Sequence, residues 1–327
     1  MKPPDQCPVC TAAIDTRPIE RHTAQEAADF FVPRTRSEER NRRLVEALQE
    51  LWPESVCEVY ECSGCGFGFG WPFKGGDELF YSIIHQAADY PRWRWEYAVA
   101  AGAAQRLFPG GGKVLDVGAG HGVFRKSLPP GWEYYAAEST DMMRAKLEQA
   151  GAKVFRDLDE AGNRAPGTFQ FAVLFQVIEH VAPPVPMLRQ IRKLMATGGV
   201  LAVSTPNNEE IPRRYKATLC PEMPPNHINR WTPKALARAL ADAGFEQSEV
   251  MRQPPAAKNI LYSAYLRALT RAGRNPRSLP AAAYRIKNKK LRAAALAPVG
   301  GLMIAEMLPH LGAARLSVNM LCLSRAV

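Results

Sequence analysis

The apolar positions of the chain follow two different patterns, and the change comes at about residue 113. From Lys113 onward, short apolar runs alternate with amphipathic segments, which is typical of strand–loop–helix units and favours a parallel sheet with right-handed crossovers. The run Phe169–Phe175 is apolar at nearly every position, as expected of a strand buried on both faces. Seven strands are predicted, at Lys113–Val117, Glu133–Ala137, Lys153–Phe155, Phe169–Phe175, Gly199–Ser204, Glu246–Arg252 and Arg315–Ser324.

The segments outside this pattern predict additional parts of the chain. A helical run at Ser37–Leu51 ends before Pro53, and an alternating strand at Val56–Cys62 leads into a glycine-rich turn. If the last strand pairs beside the sixth, the residues between them are a helical insertion. The predicted parts are an N-terminal module at residues 1–75, a helical linker at 76–110, an α/β domain at 111–253 together with 313–327, and the insertion at 254–312.

Composition narrows the class of protein. The 327 residues are 46 % hydrophobic and 23 % charged, which is ordinary for a soluble globular protein and excludes a disordered chain. The N-terminus lacks an apolar signal segment, and no uninterrupted apolar stretch reaches the roughly 18 residues of a membrane span. These features predict a cytoplasmic protein.

The net charge of +10 is concentrated at the C-terminus. Residues 1–250 hold 29 Lys and Arg against 31 Asp and Glu, whereas residues 251–327 hold 13 against the single acid Glu306. The basic segment Tyr284–Arg292 is followed by the uncharged segment Ala293–Ala305. This combination is compatible with docking on an anionic membrane or a lipid-linked acceptor through residues 284–305, but also with a solvated helix or a phosphorylated substrate.

The cysteines predict a metal site. Seven cysteines include two C-x-x-C pairs, and each such turn presents two thiolates to one metal ion. Two turns supply the four sulfurs of a closed tetrahedral site, so a structural Zn²⁺ is predicted on Cys7, Cys10, Cys62 and Cys65. Redox-active or unpaired thiols are the alternative, and the odd cysteine count argues against a disulfide framework.

A glycine-rich loop carries the main chemical signal. The strand Val114–Val117 runs into Gly118-Ala-Gly-His-Gly122, where small residues let the backbone turn sharply and approach a nucleotide-like ligand. The spacing does not fit the G-x-G-x-x-G fingerprint of dinucleotide-binding domains. G-x-G-x-G after the acid Asp116 instead resembles the first motif of class I S-adenosylmethionine-dependent methyltransferases.

Further segments extend this resemblance over residues 110–250. Gln176-Val-Ile-Glu-His-Val181 is similar to the segment after the fourth strand in the Q-V-I-E-H-V group of small-molecule and sugar methyltransferases. The resemblance implies a Rossmann-like, doubly wound α/β fold with a mostly parallel seven-stranded sheet, a small N-terminal zinc-binding module and a helical insertion before the last strand. It implies S-adenosylmethionine contacts at Asp116, Gly118, Ala119, Gly120, Gly122, Glu138, Ser139, Asp157, Leu158, Gln176 and Val177.

Individual roles within this set are open to other interpretations. Glu138 is placed to accept hydrogen bonds from the ribose hydroxyls, because a carboxylate is a pure acceptor. Asp157 is placed beside the adenine amino group, or else caps a helix. His180 and His227 are the candidate catalytic bases, although a histidine after a buried strand also bonds neighbouring carbonyls.

The resemblance implies methyl transfer to a small-molecule or glycan acceptor, such as a sugar, a lipid-linked compound or a secondary metabolite, at oxygen or carbon. An RNA or protein methyltransferase is the alternative within the same class, although aromatic residues are sparse among the basic ones and argue against nucleic acid. A non-catalytic cofactor-binding scaffold is the alternative from another class.

Overall fold

Two β-sheets organise the chain in the computed structural model, which describes residues 4–84, 93–311 and 318–327. The strands in these ranges are β1 Glu20–Thr23, β2 Val56–Glu61, β3 Gly68–Trp71, β4 Gly112–Val117, β5 Trp132–Ala137, β6 Lys153–Phe155, β7 Phe169–Phe175, β8 Met195–Pro206, β9 Asn229–Arg230, β10 Phe245–Arg252 and β11 Asn319–Ala326. The helices are α1 Ala24–Phe31, α2 Glu38–Leu51, α3 Glu78–Ile84, α4 Trp95–Leu107, α5 Asp141–Gln149, α6 Leu158–Arg164, α7 Pro184–Leu194, α8 Ile211–Thr218, α9 Pro233–Asp242, α10 Ala257–Arg274, α11 Leu279–Tyr284 and α12 Lys289–Leu311, with short 3₁₀ helices at Val123–Ser127 and Ile178–His180.

The larger sheet has seven strands in the order β10-β11-β8-β7-β4-β5-β6. Strands β4 to β8 run parallel to one another, whereas β11 is antiparallel to both β8 and β10. The predicted α/β fold with a central, mostly parallel sheet is confirmed. Strand β8 begins at Met195, four residues before the predicted start, and residues 315–317 of the predicted last strand lie outside the described ranges.

Helices cover both faces of this sheet because its central strands are apolar on both sides. In β7, Phe169 and Leu174 pack into a core with α7 and α9, and Phe171 and Val173 pack into a second core with α4 and α5. All four side chains are fully buried. This is the doubly wound arrangement, which leaves the carboxyl ends of the parallel strands as the open edge of the domain.

The smaller sheet belongs to the N-terminal part, but one of its strands comes from elsewhere. Its order is β1-β2-β3-β9, and the last pair is antiparallel with Gly68 opposite Arg230 and Phe69 opposite Asn229. Helix α2 matches the predicted helical run, and the Ser37 hydroxyl accepts a hydrogen bond from the Arg40 amide at its start. A two-residue strand from the α/β domain therefore completes the N-terminal sheet.

The insertion between β10 and β11 forms a small bundle of α10, α11 and α12. Helix α12 runs continuously across Pro298 and Gly300-Gly301. Val299, Met303 and Met307 recur every fourth residue and are buried against α10 and α8, which holds the helix together despite the missing amide of Pro298. Within α12, Lys290–Pro309 has the length and mean hydropathy of a membrane span, although Arg292 and Glu306 interrupt its apolar residues.

Candidate cofactor and acceptor site

The predicted site residues lie at the carboxyl edge of the parallel strands, where the order of connection reverses. Strand β4 lies between β5 and β7; the chain proceeds from β4 to β5 and β6 on one side, and from β7 to β8 on the other. Such a reversal leaves a crevice between the loops that follow the two adjacent strands, and ligands of open α/β sheets bind there. The crevice lies between the loops after β4 and β7.

The glycine loop after β4 adopts a backbone that other residues resist. Gly118, Gly120 and Gly122 have φ of +70°, +54° and +63°, in the left-handed region where glycine is favoured. A Cβ atom on Gly118 would lie 2.6 Å from Cγ2 of Val177. The loop after β4 therefore packs directly on the loop after β7, and two predicted cofactor-contacting segments lie together.

Glu138 connects the end of β5 to the glycine loop. Its Oε2 accepts a hydrogen bond of 2.8 Å from the Gly120 amide, and its Oε1 accepts one of 3.0 Å from the Thr140 amide. A carboxylate has about four acceptor positions, so both oxygens keep capacity for ribose hydroxyls. Ser139, which follows, is exposed beside it. This geometry suits the predicted ribose role.

Asp116 lies beneath the loop rather than at its surface. It is 3 % exposed, and its Oδ2 accepts a 2.7 Å hydrogen bond from the Tyr134 hydroxyl. Burial raises the pKa of Asp116 to about 7. Its position supports the turn from inside the sheet, whereas Ala119 at the tip is half-buried against the second core.

Asp157 caps a helix, which is one of the two roles that its sequence context allowed. Its Oδ1 accepts a 2.8 Å hydrogen bond from the Glu160 amide at the start of α6, and its Oδ2 accepts one of 2.9 Å from Arg156. The helix-capping interpretation therefore describes the structure. Leu158, the next residue, is half-buried, and an adenine contact at this pair stays a prediction.

Gln176 begins the segment after β7 with an unusual backbone. Its φ of +54° is in the left-handed region, which is uncommon for a residue other than glycine and concentrates at functional sites. The Gln176 amide donates to the Ser204 carbonyl at 2.9 Å, and Nε2 donates to Ser204 Oγ at 3.4 Å. Strand β8 thus fixes the turn that directs Val177 toward the glycine loop.

His180 lies near the end of the same segment, and hydrogen bonds from other parts of the chain hold its ring. Its Nδ1 bonds to the Asn226 carbonyl and lies 3.3 Å from the Tyr81 hydroxyl. A carbonyl only accepts, so Nδ1 carries a proton. Asn229 fixes the turn itself by donating to the carbonyls of Ile178 and Val181 at 2.9 and 2.5 Å.

Glu179 is the site residue that sequence reasoning missed. The side chain is 1 % exposed, and neither carboxylate oxygen makes a hydrogen bond of normal geometry to a described residue. Burial raises the pKa of Glu179 to about 7, although His227 opposes the rise. The available signal was its place as the one acid of the Q-V-I-E-H-V segment. A buried carboxylate without a hydrogen bond of normal geometry indicates a place where a bound substrate or ion would interact.

His227 lies opposite this turn and is paired with a second buried acid. Its Nδ1 bonds to Glu222, whose other oxygen bonds to Arg214. Although burial opposes both effects, the pKa of Glu222 is held below its usual range and that of His227 is raised. Glu222 therefore favours the protonated form of His227, whose ring centroid lies 5.0 Å from that of His180.

The two histidines and Glu179 form one cluster. A carboxylate oxygen of Glu179 and a ring nitrogen from each of His180 and His227 lie within 4.8 Å of one another. The structure thus brings the two candidate catalytic histidines together and adds a carboxylate beside them. A carboxylate with two imidazoles suits either a hydroxyl group or a divalent cation.

Comparisons with known proteins agree with the nucleotide-binding geometry. A family model described as a methyltransferase domain matches residues 92–250. The ubiquinone biosynthesis O-methyltransferase of Xanthomonas axonopodis pv. citri (strain 306) is 27 % identical over 172 residues, which cover 48 % of this chain and 70 % of that protein. The protein of the same name from Caulobacter vibrioides (strain ATCC 19089 / CIP 103742 / CB 15) is 29 % identical over 142 residues, which cover 40 % and 53 %. The protein is a class I S-adenosylmethionine-dependent methyltransferase.

Among solved structures, the chain is similar to another methyltransferase. The 1,6-didemethyltoxoflavin-N1-methyltransferase of Burkholderia thailandensis, with bound 1,6-didemethyltoxoflavin and S-adenosylhomocysteine, is 15 % identical with a TM-score of 0.45. The match covers 76 % of this chain and 85 % of that chain.

The four predicted metal ligands of the methyltransferase come together in the N-terminal module. The sulfur atoms of Cys7 and Cys65 are 3.8 Å apart, those of Cys10 and Cys62 are 3.5 Å apart, and all four lie within 4.8 Å of one another. Tetrahedral Zn²⁺ with bonds of about 2.3 Å to sulfur requires sulfur–sulfur distances of about 3.8 Å. The cluster fits this requirement.

The cysteine module is attached to the segment that carries His227. Arg230 donates to both carboxylate oxygens of Glu20, at 2.8 and 2.6 Å, and to the Glu222 carbonyl at 2.8 Å. The Thr232 hydroxyl donates to the Cys65 carbonyl at 3.0 Å. The module therefore supports the acceptor side of the site from outside the α/β domain.

Proposed function

We propose that this methyltransferase transfers the methyl group of S-adenosylmethionine to a hydroxyl oxygen of a small-molecule acceptor. The observation that carries the proposal is the buried carboxylate of Glu179, which lies between two histidines at the end of β7. The similarity to the two ubiquinone biosynthesis O-methyltransferases supports oxygen as the acceptor atom. A glycan hydroxyl belongs to the same chemistry.

The reaction requires little beyond alignment and removal of one proton. The acceptor oxygen attacks the sulfonium methyl group, the carbon–sulfur bond breaks, and S-adenosylhomocysteine leaves. The hydroxyl proton must go to a base whose pKa is near that of the medium. Glu179, with a pKa near 7, accepts this proton in the proposal.

The two histidines have different parts in the proposal. His180, whose ring is fixed by the bond from Nδ1 to the Asn226 carbonyl, receives and orients the acceptor hydroxyl in the proposal. Glu222 raises the pKa of His227, and His227 in turn favours the ionised form of Glu179. Because Nδ1 of His227 is engaged by Glu222, the proposal gives the role of base to Glu179 rather than to His227.

The same three side chains can also hold a divalent cation. A carboxylate and two imidazoles are ligands that Mn²⁺, Fe²⁺ and Zn²⁺ accept, and their donor atoms lie close enough together for one ion. The two forms of the site differ in their response to a chelator. Activity that survives EDTA indicates proton transfer to Glu179 without a cation.

We also propose structural Zn²⁺ on the four clustered cysteines, and a cytoplasmic location. The zinc proposal is supported by the sulfur–sulfur distances. An RNA or protein acceptor is the competing proposal within the methyltransferase class, and salt-dependent binding of RNA would favour it. A scaffold without turnover would bind the cofactor and transfer no label to any acceptor.

The test uses labelled S-adenosylmethionine with a panel of phenols, catechols and sugar alcohols. For an accepted compound, kcat/KM should rise with pH through an inflection near 7, because the base must be ionised. Glu179→Gln should lower kcat by about 100-fold or more, remove the inflection, and leave S-adenosylhomocysteine affinity unchanged by calorimetry.

Two controls accompany this variant. His180→Asn should raise KM and lower kcat but retain the inflection near pH 7. Ser139→Ala lies outside the cluster and should leave the pH profile unchanged. A Glu179→Gln enzyme with the wild-type rate and pH profile would refute the role of Glu179.

A further inference from the structure

The outer face of α10 is apolar. A helix that packs on a protein and faces water normally has its large apolar side chains on the inner face instead. Leu261, Tyr262, Tyr265 and Leu269 lie on one stripe of the helix and are exposed, at 65, 58, 50 and 37 %. An adjacent face carries small residues, including Ala264 and Ala268, which are buried in one cluster with Met303 and Met307 of α12. The large apolar side chains thus point away from the bundle.

Helix α12 repeats this arrangement. Its outward positions include Leu291, Leu302 and Leu308, which are 63, 43 and 60 % exposed, whereas Met303 and Met307 are buried. Only 17 % of its apolar stretch is buried inside the protein. Among the described residues, eight of the fourteen exposed large apolar side chains lie in the insertion, which is less than a fifth of the chain. Such a concentration marks an interaction surface.

Positive charge lies beside these apolar faces. Glu306 is the single acid between residues 254 and 312, and it is paired with Arg267 and Arg271 on α10. The basic residues at and before the start of α12 are therefore in excess. Tyr284 lies close enough to both Tyr265 and Arg292 for their charges to affect its pKa, so the aromatic part of α10 adjoins this basic end.

The insertion also contacts the acceptor side of the site. Ala217 of α8 is buried within the bundle, and Arg267 donates to the carbonyls of Lys216 and Ala217 at the end of α8. Glu222 and His227 follow α8 directly in the chain. The outer faces of the insertion are thus structurally coupled to the segment that shapes the acceptor pocket.

We propose that the insertion docks the methyltransferase on a membrane surface that contains anionic lipids, with α10 and α12 lying at the interface. Exposed leucines and tyrosines enter the headgroup boundary, and the basic residues before and at the start of α12 meet the lipid phosphates. Although α12 has the length of a membrane span, Val299, Met303 and Met307 are buried against α8 and α10. Spanning would expose α8 and α10, so the docking is peripheral.

The test is sedimentation of the purified full-length protein with vesicles. Vesicles of phosphatidylcholine with phosphatidylglycerol should bind the protein, vesicles of phosphatidylcholine alone should bind it weakly, and added NaCl should reduce binding to the first kind. Leu261→Ser with Tyr265→Ser should lower affinity at least tenfold. Arg285→Gln with Lys287→Gln should lower it about fivefold per charge near the surface.

The matched control is Ile19→Ser with Met142→Ser, which removes two side chains of similar exposure outside the insertion, at 54 and 57 %. This control should bind vesicles as the wild type does, and the circular dichroism melting temperature of every variant should be unchanged. The proposal is overturned if the wild type ignores anionic vesicles or if the α10 variant binds equally well. It is also overturned if α10 instead mediates a dimer that the variant abolishes, or if extraction requires detergent.

Vesicle binding does not depend on the proposed O-methylation, so the two can fail separately. If both hold, the acceptor is a hydroxylated compound dissolved in or attached to the membrane.

Discussion

The N-terminal module and the C-terminal insertion both contact the segment between β8 and α9, but they use opposite kinds of contact. The module attaches through directed polar groups, chiefly Arg230 with Glu20 and Thr232 with the Cys65 carbonyl. The insertion attaches mainly through apolar packing of alanines, Met303 and Met307 around Ala217, and exposes other large apolar side chains such as Leu261 and Tyr262. The module therefore uses its polar groups to bind the α/β domain, whereas the insertion exposes large apolar side chains on its outer surface.

This difference suggests separate roles: the module positions the residues of the acceptor site, and the insertion recruits the enzyme to the proposed membrane surface. Directed hydrogen bonds to a buried guanidinium specify one geometry for the strand β9 that carries Asn229, which in turn holds the turn of Glu179 and His180. Packing among alanines and methionines tolerates small shifts and specifies geometry less strictly. The module should therefore matter for catalysis and fold, and the insertion for where the enzyme works.

The largest effect is expected from loss of the cysteine cluster. Cys62→Ser with Cys65→Ser should remove the bound zinc, which we expect at about one per chain in the wild type, because two ligands cannot form the closed site. The knuckle should unfold locally, free Thr232 from Cys65, and reduce methyl transfer by at least tenfold. Metal analysis and circular dichroism measure the first two effects.

Cys220→Ser is the matched control, since Cys220 is a free thiol outside the cluster. It should retain zinc and activity. A zinc-free but fully folded wild-type protein would contradict the metal assignment. It would also contradict the role of the N-terminal module as a rigid support.

A smaller effect is expected at the junction between the module and the α/β domain. Arg230→Ala removes a 5 % exposed guanidinium that bonds Glu20 and the Glu222 carbonyl, and should lower the free energy of unfolding by about 2–3 kcal/mol, since Glu20 is partly exposed. Denaturant unfolding measures this change. Arg21→Ala, which removes an exposed partner of Glu58 at 3.6 Å, should cost less than about 1 kcal/mol.

The same variant has a pH signature. Although burial opposes it, Arg230 lowers the pKa of Glu20 to about 2, below the ordinary 4.5. A carboxyl with a lowered folded-state pKa contributes stability above its unfolded pKa and loses it as the pH falls toward the folded value. Stability of the wild type should therefore fall between about pH 4.5 and 2, and Arg230→Ala should show less of this dependence. An unchanged acid dependence would refute the pairing.

The cofactor side of the site was predictable because its residues stand at fixed places relative to strands. Gly118 and Glu138 follow the first two strands of the sheet, where the crevice of a doubly wound sheet must lie. Asp157 shows the limit of such reasoning, since capping and adenine contact place an acid at the same position. Only the hydrogen bonds distinguish them.

The acceptor side was less predictable because its features depend on tertiary packing. The raised pKa of Glu179 arises from burial without a hydrogen bond of normal geometry to a described residue, which no local sequence pattern indicates. The pairing of His227 with Glu222 lies in a segment where motifs are weakest, and it changes the role of the histidine. Helix α12 crosses Pro298 because Val299 and Met303 are buried, so packing outweighs a local helix breaker.

The smallest effect is expected at the junction between the insertion and α8. Arg267→Ala removes the donor to the Lys216 and Ala217 carbonyls and one partner of Glu306, but Arg271 still pairs with that acid. The loss should be about 1 kcal/mol, and hydrogen exchange should show faster opening at the end of α8 with unchanged S-adenosylhomocysteine affinity. Arg274→Ala, on the exposed end of α10, is the control and should change neither. If Arg267→Ala costs as much as Arg230→Ala, the insertion is as rigid a support as the module, and the separation of positioning from recruitment is wrong.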